Sequence, residues 1–224
     1  MAESEQDYSQ RLARLDTCIV SDALDRLGLS GVVTGLMRLS TEKRVVGPVL
    51  TVRLEAEKGR IADRHLCTAA IDAAQPGEII VVEHHSRSDC AGWGGILSRA
   101  ARMRQVAAVI VDGMCRDIDE SRELGFPVFG RGALPVTARG RIIETSFNTP
   151  ITVGSVTVRP GDWVIADGSG VVFLSAENVN AVIEQAEKLA AREAELVAQI
   201  EAGTPVSEVM SRTYEHMTRK EPTP

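Results

Sequence analysis

Residues 106–117 read VAAVIVDGMCRD, and residues 91–104, AGWGGILSRAARMR, lead into them. The valine-rich run 106–111 carries no polar residue. It predicts a strand buried on both faces, as in a parallel sheet covered on each side. Asp112-Gly113 is a turn dipeptide and predicts the end of that strand. Arg116 and Asp117 then fall on the loop beyond its carboxyl end. A helix over 118–124, IDESREL, closes with Gly125 at its C′ position. In open α/β sheets the crevice outside the strands' carboxyl ends is where ligands bind. An adjacent Arg and Asp there can hold an anionic substrate and a divalent cation side by side.

Gly92, Gly94 and Gly95 immediately precede a helix. Its apolar positions Ile96, Leu97, Ala100, Ala101 and Met103 are expected on one side, with Arg99, Arg102 and Arg104 largely on the other. Glycines let a ligand approach the backbone, and free N–H groups at a helix start attract carboxylates and phosphates. If helix and strand form one βα unit, this turn faces the same crevice as Arg116 and Asp117.

Residues 92–129, GWGGILSRAARMRQVAAVIVDGMCRDIDESRELGFPVF, resemble the core of the RraA-like family. That family contains class II 4-hydroxy-4-methyl-2-oxoglutarate/4-carboxy-4-hydroxy-2-oxoadipate aldolases and regulators of ribonuclease E activity. The resemblance extends to CIVSDALDRLG at 18–28, to Gly47-Pro48 and the strand after it, to PGEIIVVEH at 76–84 and to RPGDWVIADGSGVVFL at 159–174. It spans roughly residues 15–203. It implies an α/β fold, a single-domain β/β/α sandwich of the swivelling-domain type with a long C-terminal helix. The expected boundaries are 1–203 for the domain and 204–224 for a C-terminal extension.

At 224 residues with 44% hydrophobic content, the chain is long enough for one real core. A net charge of −6 disfavours nonspecific binding to nucleic acid or anionic membrane. Aromatic content of 4% leaves little for a base-stacking surface. No apolar run approaches a membrane span, and MAESEQDYSQ at the start lacks a signal peptide's charged and apolar regions. Cys18, Cys67, Cys90 and Cys115 form no CxxC pair, which argues against zinc and for a reducing, cytoplasmic setting.

Residues 8–28 predict a helix or two short ones, ended by Gly28. Ser21-Asp22 on it is either an internal N-cap or a border of the active site. A strand follows at 47–54, a helix at 62–74 and a strand at 78–83. The polar loop HHSRSDCAG then carries His84, His85, Arg87 and Asp89 towards the pocket. Adjacent strand residues face opposite ways, so His84 and His85 are not expected to chelate one ion. Beyond the core come a strand at 127–130, a polar stretch at 137–146 with Arg139, Arg141 and Glu144, and a hairpin at 151–158 turning at Gly154-Ser155. Two further strands follow, in WVIAD and GVVFL. Ser175 is expected to cap a last helix running to about 202. Glu193 falls within its apolar stripe, four residues from Leu189 and from Val197.

The residues alone leave Asp117 two roles, a cap for the helix at 118 or a metal ligand. The resemblance implies the second: in the aldolases this Asp binds metal and the preceding Arg contacts the substrate near its reacting carbonyl. The regulators lack the Asp. The aldolases also carry an Asp where this chain has Gly95, so the substrate and proton donor can differ here. An aldolase without a metal needs a Schiff-base lysine, and Lys43, Lys58, Lys188 and Lys220 all lie away from the central unit. Cys115 is read as a packing residue.

The expected function is that of a class II lyase. It would use Mg²⁺ or Mn²⁺ to cleave a 2-oxo di- or tricarboxylic acid to pyruvate, with possible oxaloacetate decarboxylation. Asp117 would hold the metal, Arg116 would stabilise developing charge, and the backbone of Gly94, Gly95, Ile96 and Leu97 would hold a carboxylate. The alternatives are a non-catalytic regulator of a ribonuclease or helicase, or a family enzyme with a different small carboxylate substrate. No nucleic-acid or membrane partner is expected. In the resembling aldolases a glutamate ahead of the helix-ending Ala-Gly reaches the neighbouring subunit's metal shell. Glu193 aligns with it, which implies a homotrimer or homohexamer with active sites between subunits. The bland reading is that Glu193 simply reaches water.

Overall fold

The computed structural model describes residues 5–62 and 64–210. In chain order its elements are α1 (Glu5–Leu12), α2 (Thr17–Leu27), β1 (Val32–Val33), β2 (Met37–Arg38), β3 (Val45–Ala56) and α3 (Thr68–Ala73). Then come β4 (Ile79–Trp93), α4 (Gly95–Met103), β5 (Ala108–Cys115), α5 (Ile118–Glu123), β6 (Val128–Ala133) and β7 (Ile142–Phe147). The chain continues through β8 (Ile151–Val153), β9 (Val156–Val158), β10 (Trp163–Ala166), β11 (Val171–Leu174), α6 (Val179–Glu201) and α7 (Val206–Val209). This is the expected α/β architecture, a central sheet with helices outside it and a long C-terminal helix.

The sheet runs β1-β11-β10-β3-β4-β5-β6-β2, with β7 on β3. β3, β4, β5 and β6 pair in parallel and the other pairs are antiparallel. Its two ends, β1 and β2, are joined by residues 34–36 alone. A chain that short spans at most roughly 15 Å, so the sheet must curl back towards itself.

Alternation along each strand divides the apolar residues between cores. Val49, Ile79, Val81, Ala108, Ile110 and Phe129 point inward and are sealed by Ile151 and Val153 of the β8–β9 hairpin. Leu50, Val52, Ile80, Val82, Val109 and Val111 point outward under α3 and α4. The far faces of β10 and β11 are covered by α1, α2 and α6, through Leu12, Val20, Leu24, Val182 and Ile183. The continuous apolar runs therefore have a cause: both faces of the middle strands are buried.

Several boundaries differ from expectation. α2 is capped by Asp16, whose carboxylate accepts the Ile19 N–H at 2.9 Å, and not by Ser21 or Asp22. α3 starts at Thr68, six residues later than expected: the described residues from 57 to 67 form no helix, and Cys67 is left-handed (φ 65°). Residues 84–92 are irregular strand in β4, not a loop. β5 passes straight through Asp112-Gly113. α6 starts at Val179: Ser175 uses its carbonyl to accept the N–H groups of Asn178 and Val179 and does not cap with its side chain. On α4, Leu97 and Ala101 are buried but Ile96 and Met103 are 79% and 80% exposed. The expected extension 204–224 begins with α7, and residues 211–224 lie outside the described residues. Among the described residues no helix is long and apolar enough to cross a membrane.

Asp167 ties the helical layer to the sheet. Its carboxylate accepts the Thr17 N–H at 3.0 Å, the Thr17 hydroxyl at 2.7 Å and the Ser169 N–H at 2.9 Å. Burial pushes its carboxyl up, but these donors and Arg44 outweigh burial and hold it below the usual carboxylate range. Asp167→Ala strands the buried Thr17 donors and is expected to cost about 2–4 kcal/mol. The folded pKa lies below the unfolded value near ~4, so this stability is fully present above that pH and is lost as pH falls through the folded pKa. Melting temperatures of the two proteins, taken from pH 7 to pH 3, should therefore converge at the acid end. A constant gap would contradict the assignment.

Candidate functional site

β5 delivers Arg116 and Asp117 to the end of the sheet, and the Arg116 N–H donates to Trp93 O at 2.9 Å across the end of β4. Asp117 occupies the N-cap position of α5, yet its side chain makes no capping bond there. Its backbone is left-handed (φ 55°, ψ 41°), which costs roughly 1–2 kcal/mol for most residues and less for Asp. This conformation turns the carboxylate away from its own helix and onto the next one: Oδ2 accepts the Gly95 N–H at 2.9 Å. Arg116 Nε lies 3.3 Å from the same carboxylate.

The two glycines make this approach possible. A Cβ at Gly94 would stand 2.9 Å from Asp117 Oδ2, and one at Gly95 would overlap the Glu120 carboxylate. α4 has no side-chain cap, and Ser98 N–H already donates to Gly94 O. With Gly95 N–H taken by Asp117, the N–H groups of Ile96 and Leu97 are those left to receive an anion. Underneath, Trp93 Nε1 donates to Ser98 Oγ (2.9 Å), which lies 2.8 Å from Ser121 Oγ, and Ser121 N–H donates to Asp117 O (3.1 Å). This buried chain locks the starts of α4 and α5 together.

Above them opens a cavity of about 120 Å³. Gly94, Gly95, Ile96, Leu97, Arg116 and Asp117 all line it, as the sequence predicts. Its remaining wall includes His65, Thr137 and Arg139, which sequence reasoning did not assign to the site. His84, His85, Arg87 and Asp89 do not line it. The His84 ring is fully buried, with Nε2 2.9 Å from Cys90 O, and burial lowers its pKa. Asp89 pairs with Arg87, which holds its carboxyl down at about 2. Ser21 and Asp22 line a different cavity, bounded by 32–36 and 169–172. Burial pushes the Cys115 thiol far up, as suits a packing residue. Glu193 is exposed on α6.

Glu120 was missed as well. Its Oε1 accepts from Arg99 at 3.0 Å, and Oε2 lies over Gly95. The spacing to Asp117, three residues on a helix, was the available signal.

Among known proteins, the family model described as RraA-like, Aldolase/RraA, matches residues 17–173. A Halalkalibacterium halodurans protein named "Putative 4-hydroxy-4-methyl-2-oxoglutarate aldolase" is 32% identical over 190 residues, covering 84% of this chain and 86% of its own. Protein DlpA of Legionella pneumophila is 25% identical over 87% of this chain, and the chain spans only 32% of that longer relative. The crystal structure of an uncharacterized protein from Pseudomonas syringae superposes with a TM-score of 0.84 at 27% identity, covering 94% of this chain and 100% of the other.

Proposed function

The chain belongs to the RraA-like family, and from that premise we propose that it is a divalent-metal-dependent lyase, cleaving a C–C bond in a 2-oxo di- or tricarboxylic acid to release pyruvate. The observation that carries this reading is Asp117: a carboxylate held in a left-handed backbone, diverted from capping and presented at the mouth of a cavity beside Arg116. Strain of this kind gathers at functional sites. The aldolase name of the Halalkalibacterium relative supports the same reaction class.

The donors suit a hard cation. Asp117 and Glu120 offer carboxylate oxygens, which favours Mg²⁺ or Mn²⁺. Among the described residues no three His, Cys, Asp or Glu converge, so water or another protomer would complete the shell. Bound there, the ion supplies Lewis acidity to a carbonyl oxygen that gains negative charge. Arg116 stabilises that same charge. The N–H groups of Ile96 and Leu97 hold the substrate's carboxylate. Glu120 stands in for the family carboxylate absent at Gly95 and positions the proton for the carbon left by cleavage. Retro-aldol cleavage and oxaloacetate decarboxylation leave the same pyruvate enolate, so these residues serve both.

Retention of Asp117 supports the aldolase branch of the family over the regulators. The reading includes a cytoplasmic homotrimer or homohexamer acting on small molecules, with no nucleic-acid or membrane partner. Chelator treatment is expected to lower pyruvate release from 2-oxo diacids by about 100-fold or more, with recovery on adding Mg²⁺ or Mn²⁺. Full activity in excess chelator, or a lysine adduct trapped by borohydride, would sink the metal mechanism.

A further inference from the structure

We propose that Arg139, with His65 beside it, reads a second carboxylate at the end of the substrate remote from its 2-oxo group. The lyase reading supplies the identity of that substrate, but the subsite stands on its own geometry.

The cavity has two walls of different origin. One is the start of α4 with Arg116 and Asp117. The other is built from His65 and Leu66, ahead of α3, and from residues 137–139, ahead of β7. Apolar groups share the lining, among them Trp93, Leu97 and Ala138. A largely apolar lining that carries two guanidinium groups, Arg116 and Arg139, suits a short dicarboxylate.

The second wall is held by contacts that spare its own charged groups. Arg141 Nη1 donates to the carbonyls of Thr137 (3.2 Å) and Arg139 (3.5 Å), and Arg139 N–H donates to Thr137 Oγ1 (3.3 Å). These fix the backbone of the turn without the Arg139 guanidinium. The His65 segment is fixed by Glu144, whose Oε2 accepts the Cys67 N–H at 2.6 Å and whose Oε1 pairs with Arg64 at 3.2 Å. Thr68 adds a 2.8 Å bond from its hydroxyl to His65 O.

Other arginines have partners: Arg64 has Glu144, Arg87 has Asp89, Arg99 has Glu120 and Arg116 has Asp117, while Arg102, Arg104 and Arg141 donate to backbone carbonyls. Among the described residues Arg139 has none. With Asp117 paired to Arg116 and Glu120 paired to Arg99, the Arg139 guanidinium is the charge at the cavity left without an acid. A ligand with a single carboxylate, taken by the Ile96 and Leu97 N–H groups, leaves Arg139 uncompensated. A dicarboxylate pairs it, and the planar fork suits a carboxylate bidentately.

The test is equilibrium binding by titration calorimetry in Mg²⁺, using 2-oxoglutarate and 2-oxopentanoate, equal in length but differing in the second carboxylate. The wild-type protein should prefer 2-oxoglutarate by about 10-fold or more. Arg139→Ala, an exposed position checked by thermal melting, should shrink that preference to about 2-fold or less and leave 2-oxopentanoate binding unchanged. Arg139→Lys should retain part of the preference, since it keeps the charge and loses the fork. An undiminished preference in Arg139→Ala, equal weakening of both acids, or no binding of either acid overturns the subsite. A preference that depends on Arg139 in a protein releasing no pyruvate from any 2-oxo diacid keeps the subsite and rejects the lyase reading. Pyruvate release whose KM ignores Arg139→Ala does the reverse.

Discussion

Asp117→Ala is expected to lower pyruvate release by about 1,000-fold or more and to abolish Mn²⁺ binding, while Arg116→Ala keeps the metal and loses about 100-fold in kcat at nearly unchanged KM. The difference follows from what each side chain faces. Asp117 offers a carboxylate in the cavity lining, and its loss also returns the Gly95 N–H to the pool of unsatisfied donors at α4. An alanine there must in addition hold a left-handed backbone. Asp117→Asn therefore provides the cleaner test, since Asn tolerates that conformation and its side-chain oxygen can still accept from Gly95. It should retain the wild-type melting temperature and lose Mn²⁺ affinity. Arg116 contributes when negative charge develops on the substrate oxygen, which is a transition-state effect. If Arg116→Ala changed KM alone, it would be a binding residue and the assigned role would fall.

The middle of the sheet was legible because its message is local. A run such as Val109, Ile110 and Val111 has no polar position to expose, so burial on both faces follows from the residues alone. Arg116 and Asp117 stood out as an adjacent Arg-Asp pair a few residues past that run. Asp112-Gly113 was misread because what it needs comes from far along the chain. The Asp112 carboxylate, buried in β5, accepts from Arg131 Nε at 2.6 Å, from the Ser86 hydroxyl at 3.1 Å and from the Gly154 N–H at 3.3 Å. Gly113 is needed for space, since a Cβ there would run into the His84 ring, which also packs 3.2 Å from the Cβ position of Gly92. The two glycines make a slot for a buried histidine. A turn dipeptide and a polar loop, read locally, are in fact two neighbouring strands locked together.

The far wall of the site was hidden for a related reason. His65, Thr137 and Arg139 belong to segments that look like ordinary connections, and only the fold brings them into one cavity with Arg116. Glu144 looked like one charge in a polar stretch, yet its side chain is buried and anchors Cys67. The reverse error occurred on α4. Ile96 and Met103 follow the helical spacing of a core face, but among the described residues both are largely exposed.

Mixing inactive Asp117→Ala and Glu193→Ala protomers, after dissociation and reassembly, is expected to restore activity to about one quarter of the sites, the random share that recovers both wild-type residues. The structure supplies the reason to look between chains. α6 has 23 residues and so runs about 35 Å. Its apolar stripe is buried as far as Leu189, against α2 and the outer faces of β10 and β11. Farther along only Leu196 is buried, while Val197 and Ile200 are 46% and 38% exposed. The exposed part of that stripe calls for another surface, and the exposed Ile96 at the site calls for a cover. Glu193 sits on that far half, exposed in its own chain and suitably charged to reach a metal's water shell in the next. Separate single-variant assemblies must be inactive for the comparison to count, and mixed assemblies must be verified by mass. No recovery in such assemblies, or a fully active monomer, would place the complete site within one chain and leave Glu193 as a solvated surface residue.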